Sequence, residues 1–220
     1  LKKHNLSLEE AAIEVRYTFF SEIAISLGTN MVAVGHTADD QIETILMHLV
    51  RGTGLAGLRG MRPLSTLRSV DRNELKIVRP LLETSRAETE AYCATYGLSP
   101  RSDSSNQSPD YLRNKIRSQL IPLLREYNRD IDKALLRLAG SANSDLTYIE
   151  EEMTSLWGSV ARKRPDGVAI DRAEFSRLHP ALKRHIVRSA LQRLLGELRD
   201  IESVHIESLL DALGKPAGKR

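Results

Sequence analysis

Residues 31–61 read MVAVGHTADDQIETILMHLVRGTGLAGLRGM, and this stretch decides the fold class. Met31-Val32-Ala33-Val34 is a short apolar run stopped by Gly35, the pattern of a buried strand. Ile42, Ile45, Leu46 and Leu49 then recur at the spacing of one helical face. Between them lies His36-Thr37-Ala38-Asp39-Asp40-Gln41, so ionisable side chains stand where a strand ends and a helix begins. In an open α/β sheet, ligands bind at such a junction.

Thr37 can cap this helix, with Asp40 three residues on. Asp39 and Asp40 fall in the first turn, where the helix dipole favours anions. Capping alone explains both aspartates but leaves His36 and Glu43 without a reason. Asp39 and Glu43 are four residues apart and share a helix face. Paired carboxylates facing a cleft could hold Mg²⁺ against phosphate oxygens. From the residues alone both readings stay open. Arg51 to Gly57 contains G-x-G-x-x-G, but it follows a helix rather than a strand, which rules out the dinucleotide fingerprint. Gly52, Gly54, Gly57 and Gly60 still imply a tight loop whose backbone can approach a ligand. Arg51 is available there to a carboxylate or a phosphate.

Upstream, Ser7 and Glu10 have the spacing of a capping box. Ala11, Val15, Phe19, Ile23 and Leu27 keep near-helical spacing up to Gly28, which predicts a helix covering the sheet. Downstream, residues 63–73 are polar and read as a loop. Glu74 to Leu82 reads as a strand with Pro80 near its end. Thr84 to Tyr96 reads as a helix with Ala87, Ala91, Tyr92 and Ala94 inward, closed by Gly97. Cys93 is the sole cysteine, which excludes an internal disulfide and a cysteine metal cluster within one chain; it reads as packing.

A second polar block follows: Asp103-Ser104-Ser105-Asn106, then Tyr111-Leu112-Arg113-Asn114-Lys115-Ile116-Arg117 and Leu120-Ile121-Pro122. Arg113 and Arg117 are one turn apart. Two adjacent guanidiniums repel unless an anion bridges them, and arginine suits bidentate phosphate contact. A solvated helix face is the plainer alternative.

From Asp130 onward the pattern becomes helical. Ile131, Leu135, Leu138, Leu146, Ile149, Met153 and Leu156 form an amphipathic series with an expected break at Gly140-Ser141. Pro165-Asp166-Gly167 signals a turn before Val168-Ala169-Ile170, a short strand or link. A helix follows with Leu182, Ile186, Ala190, Leu194 and Leu195 inward and Arg177, Arg184 and Arg188 opposite. His205 to Leu213 forms the last. The expected division is 1–139, a partial parallel-sheet α/β domain, and 140–220, a small helical domain. Arg162, Lys163, Arg164, Lys183, Arg184, Arg188, Lys215, Lys219 and Arg220 make a phosphate-tracking surface conceivable, against ordinary surface charge. His179, His185 and His205 lack helical metal spacing.

At 220 residues, 41% hydrophobic and 28% charged, the composition is that of a soluble globular protein. No apolar run reaches the roughly 18 residues of a membrane span, and no signal peptide follows Leu1, so no membrane partner and a cytoplasmic location are expected. A net charge of +3 is compatible with nucleic acid without requiring it.

The blocks G-H-T-A-D-D-Q-I-E-T, R-G-T-G-L-A-G-L-R-G-M and D-S-S-N…Y-x-R-N-x-I-R…L-I-P-x-L strongly resemble the tRNA(Ile)-lysidine synthetases of the PP-loop ATP pyrophosphatase superfamily. The resemblance implies a PP-loop fold, ATP and Mg²⁺ as cofactors, and L-lysine and tRNA(Ile) with a CAU anticodon as partners. A homodimer is a further assembly to test. In that family ATP adenylates C2 of the wobble cytidine, and the lysine ε-amine displaces AMP to give lysidine. Carried over residue by residue, His36, Asp39, Asp40 and Glu43 fall at the adenylation site. Asp40 and Glu43 would bind Mg²⁺ or position lysine, and Arg113 and Arg117 would contact phosphate. Arg51, Gly52, Gly54, Gly57 and Asn114 would bind substrate. Arg162, Lys163, Arg164, Arg184 and Arg188 would contact tRNA. The family's S-G-G-x-D-S phosphate loop does not occur in these 220 residues. With Leu1 at the start and a loop-like end at Arg220, the chain reads as part of a longer protein, inactive alone. The alternatives are a non-catalytic tRNA-binding remnant and another PP-loop tRNA-modifying enzyme. Thiolases that use paired cysteines are disfavoured by the lone Cys93.

Overall fold

A computed structural model of the chain describes residues 8–68, 74–101, 112–196, 198, 201 and 203–215. The readings of Ser7, Asp103 to Asn106, Tyr111, Lys219 and Arg220 lie outside them. The chain divides into two compact units, 1–142 and 143–220.

In the first unit, helix α1 (Leu8–Ser26) leads through Gly28, at φ 69°, into strand β1 (Met31–Ala33). Helix α2 (Ala38–Val50) and a short α3 (Leu55–Leu58) follow. Strands β2 (Leu64–Arg68) and β3 (Glu74–Val78) pair antiparallel, and β3 pairs parallel with β1, giving the order β1-β3-β2. Helix α4 (Arg86–Thr95) comes next, capped by Ser85, whose hydroxyl accepts from Glu88 N while Glu88 reaches back to Ser85 N. Then come α5 (Leu112–Lys115), a π-helical turn over Ile116–Leu120, α6 (Ile121–Tyr127) and the 30-residue α7 (Ile131–Val160).

Four expectations for the sheet and the helices α1 and α4 change. First, among the described residues β1 pairs with β3 alone and Met31 is exposed, while Leu75 and Ile77 of β3 are sealed. The apolar run is a true strand signal, but apolarity alone does not say which strand is sealed. Second, α1 turns a different face to the sheet. Tyr17, Phe20 and Ala24 pack on Leu75, Ile77, Val32 and Val34, while Val15, Phe19, Ile23 and Leu27 are exposed. This helix is apolar on more than one side, so spacing could not select the face. Third, part of the 63–73 loop is strand β2, whose Ser65 and Thr66 sit on an edge that tolerates polar residues. Fourth, α4 buries none of its residues, and Tyr92 and Tyr96 stack on each other at 4.5 Å.

The core that positions the site lies elsewhere. Ile42, Ile45 and Leu46 of α2 pack against Ile116, Ile121, Leu135 and Ala139. This packing lays α5, with Arg113, and the π-helical turn, with Arg117, across the first turns of α2. Helix α7 runs unbroken through Gly140, and the division between units falls inside it.

The second unit is not wholly helical. Strands β4 (Ala161–Arg164) and β5 (Gly167–Ile170) form an antiparallel hairpin about Pro165-Asp166. Helices α8 (Arg172–Arg177), α9 (Pro180–Leu195) and α10 (Ser203–Gly214) follow. Val160, Phe175, Ile186, Val187 and Ile206 form its core. The inward stripe of α9 is Ile186, Val187 and Ala190; Leu194 and Leu195, expected inward, are exposed in its last turn. No helix among the described residues is long and apolar enough to cross a membrane.

Candidate active site at the strand ends

Parallel pairing of β1 with β3 brings the residues that follow both strands out on one edge. His36 follows β1 and Arg79 follows β3, and Arg79 Nε donates to His36 Nδ1 at 3.2 Å. Arg79 Nη1 is held by the Arg62 carbonyl at 2.9 Å and Ser65 Oγ at 2.8 Å. Burial lowers the His36 pKa most; Arg79, Arg113 and Arg16 lower it further, while Asp40 opposes them. Arg16 of α1 thus adds its charge to the site, whereas Tyr17 of the same helix packs against the sheet.

At the start of α2, Asp40 Oδ2 accepts from Thr37 N at 2.9 Å and from Thr37 Oγ1 at 3.0 Å. Asp39 Oδ2 accepts from Arg86 N at 2.6 Å, tying α2 to the N-terminus of α4. One turn further, Glu43 is buried, and Arg117 grips it with both ends of its guanidinium: Nε to Oε1 at 2.6 Å and Nη2 to Oε2 at 3.0 Å. Arg113 Nε lies 3.2 Å from Glu43 Oε2, and Arg113 Nη2 donates to Thr44 Oγ1. The anion that bridges the two arginines is therefore Glu43 itself. Its hydrogen bond is the main reason the Arg117 pKa is raised.

This geometry bears on the metal expectation. Asp40 and Glu43 do not converge as a pair of open carboxylates, because Glu43 is engaged by guanidiniums and Asp40 by its own helix cap. Among the described residues no group of three His, Cys, Asp or Glu side chains could hold a metal ion. Glu43 and Asp39 instead line a cleft of about 120 Å³ with Ile42, Arg86, Arg117, Ile121 and Arg125. A cleft with that lining can receive an anionic or a cationic group beside fixed charges.

The glycine loop is pinned to α2 by two side chains the sequence reading passed over. The buried Gln41 donates Nε2 to the carbonyls of Arg59 (3.0 Å) and Met61 (3.1 Å) and accepts from Met61 N at 2.7 Å. His48 Nδ1 meets the Gly57 carbonyl at 2.9 Å. Gly52 (φ 78°) ends α2, and Gly60 (φ 65°) lies where a Cβ would stand 2.6 Å from Gln41 Oε1. A Cβ at Gly57 would collide with the Thr53 side chain. Gly54 caps α3. Arg51 is exposed at the end of α2, and Asn114 is half-buried on α5 beside Arg113.

A family model described as a PP-loop domain matches residues 1–124, more than half of the 220. The chain belongs to the PP-loop family. This PP-loop chain is 44% identical over 218 residues to a tRNA(Ile)-lysidine synthase of Dehalococcoides mccartyi, covering 99% of itself and 46% of that relative. It is 36% identical over 211 residues to the enzyme of that name from Clostridioides difficile, covering 95% of itself and 44% of the relative. The chain thus spans somewhat less than half the length of these curated relatives. Among solved structures, a U34-tRNA thiolase of Methanococcus maripaludis is similar at a TM-score of 0.46 and 16% identity, over 64% of this chain and 46% of that one.

In the second unit of the PP-loop chain, Arg162, Lys163 and Arg164 project from β4 and are exposed, as is Arg188. Arg184 is paired with Glu207 at 2.7 Å and Arg177 with Glu174 at 2.8 Å. Arg184 and Lys183 also border a cavity of about 300 Å³ floored by Phe175, Leu210 and Leu213.

Proposed function

We propose that the natural protein containing these residues ligates lysine to C2 of the wobble cytidine of a CAU-anticodon tRNA(Ile), at the expense of ATP. Membership in the PP-loop family implies ATP use. The relatives' name supplies the substrate class: lysidine is a lysine-modified cytidine. The observation that carries the reading within this chain is the Glu43–Arg113–Arg117 cluster beside His36, Asp39 and Asp40. Adenylation needs positive charge for phosphate oxygens. The second step needs a neutral ε-amine and an acceptor for its proton. Arginines and carboxylates interleaved at the strand ends meet both requirements. Arg113 and Arg117 keep about a third of their side-chain surface in solvent, enough for a phosphate oxygen to reach them.

Mg²⁺ enters this reading as the counter-ion of ATP. Asp39, which lines the cleft, is its better partner here; Asp40 is held in its helix cap and Glu43 serves the arginines. The glycine loop, with Arg51 and Asn114, shapes the substrate entrance, and Arg162, Lys163, Arg164, Arg184 and Arg188 offer contacts to tRNA phosphates. The test incubates the natural protein with ATP, lysine and a tRNA(Ile) transcript, and measures AMP release and lysidine by nucleoside mass spectrometry. AMP and lysidine in equal amounts, both dependent on lysine and on the wobble cytidine, are expected. ATP turnover that is indifferent to lysine would overturn the reading.

A further inference from the structure

His36 and Arg79 meet because β1 and β3 are parallel neighbours, with Ala33 opposite Val78. In their 3.2 Å contact the hydrogen belongs to Arg79 Nε, since a guanidinium has donors and no acceptor. Nδ1 of His36 must then be the bare nitrogen. The guanidinium is also fixed from behind, by the Arg62 carbonyl and the Ser65 hydroxyl. It cannot turn away to let Nδ1 take a proton. Arginine keeps its charge at any working pH, so an imidazolium here would set N–H against N–H.

We propose that Arg79 is a positioning residue that holds His36 as a neutral ring with its single proton on Nε2. His36 then serves the site as a hydrogen-bond donor to an anionic oxygen of the bound nucleotide, and not as a general base. Only the identity of that ligand rests on the functional reading above. The charges around the ring agree: Arg16 on α1, Arg79 after β3 and Arg113 on α5 disfavour imidazolium, and among the described residues Asp40 on α2 opposes them. Histidines are assigned as bases by default because their pKa lies near neutrality. Here the lone pair a base would need is spent on Arg79.

The test is ¹⁵N NMR of the histidine-labelled natural protein, with His36→Gln to identify the resonances. Wild type should show Nε2 protonated and Nδ1 bare from about pH 6 to 8. Arg79→Met keeps the aliphatic stem and removes the donor; mixed tautomers and a higher His36 pKa are expected. Arg79→Lys should restore the Nε2–H form in part. Ser65→Ala, which frees one anchor of the guanidinium without touching the ring, should give an intermediate spectrum. A proton on Nδ1 in wild type overturns the proposal, as does an Arg79→Met spectrum identical to wild type. In the natural protein Arg79→Met should lower kcat by about tenfold or more, as loss of a preorganised donor does, with KM for lysine little changed. If the wild-type protein made no lysidine, the functional reading would fail, and the tautomer would still be decided by the spectrum.

Discussion

Replacing Glu43 with alanine strips the anion from between Arg113 and Arg117. The Glu43 side chain is 2% exposed and the two arginine side chains 32% and 33%. Removing one partner of a buried ion pair costs about 3–5 kcal/mol, because the other charge stays desolvated. The arginines keep a third of their surface in water, which places the expected loss near the lower end, about 3 kcal/mol. At roughly 2–4 °C per kcal/mol for a chain of this size, Tm should fall by about 6–12 °C. Circular dichroism during heating measures it. Two further readings make the result specific. Sulfate or pyrophosphate should recover part of the loss in Glu43→Ala and little in wild type, since an anion can occupy the vacated position between the guanidiniums. Arg117→Met placed in the Glu43→Ala background should cost much less than in wild type, since the two residues share one interaction. A Tm within about 2 °C of wild type, which the same conversion makes less than about 1 kcal/mol, would refute the claim that Glu43 holds the arginines. Additive losses in the double variant would refute it independently.

Gln41→Ala removes the buried amide that bonds two carbonyls and one N–H of the half-buried glycine loop, at a cost of about 1–3 kcal/mol; amide exchange over residues 52–61 should quicken while β3 stays protected. Gly60→Ala adds a Cβ at φ 65° within 2.6 Å of Gln41 Oε1, and should destabilise by more than about 1 kcal/mol in denaturant unfolding. His185 has its pKa lowered mainly by burial, with Arg188 adding to this and Glu150 opposing. Its folded pKa therefore lies below the unfolded value of about 6.5, and the unfolded chain binds more protons in that window. Stability should be fully present above about pH 6.5 and decline as pH falls toward and through the folded pKa, a slope that His185→Gln should flatten in Tm-against-pH scans. Neutralising Arg162, Lys163 and Arg164 together should weaken tRNA binding at every sequence and reduce the salt slope by about 0.7–0.9 per lost phosphate contact; an unchanged slope would remove the hairpin from the interface.

The strand–helix junction was legible in the sequence because its signals are local. Gly35 stops a strand, Thr37 and Asp40 close a cap, and Ile42, Ile45 and Leu46 mark a face that the structure does bury. For Arg113 and Arg117 the i,i+4 spacing made legible only that they adjoin, with either an anion or solvent between them. Glu43 as the anion between them was not legible, because it lies 70 and 74 residues away in the chain and meets them only after α2 packs on α5 and the π-helical turn. Arg79 escaped notice for a related reason. In the sequence it is a basic residue before a proline at the end of a strand. It acquires meaning when parallel pairing sets it beside His36 and the β2 edge supplies Ser65 to hold it. That β2 edge has the polar composition of a loop. Gln41 and His48 were hidden by their setting: an amide and an imidazole on a helix otherwise read for its apolar face and carboxylates. The only available hint was that Gln41 precedes the apolar series by one residue and so falls at its border. What local pattern could name, then, were the charged groups able to touch a ligand. What it could not name were the neutral and cationic side chains that fix those groups and the loop beside them, because their partners are backbone atoms and rings contributed by other elements.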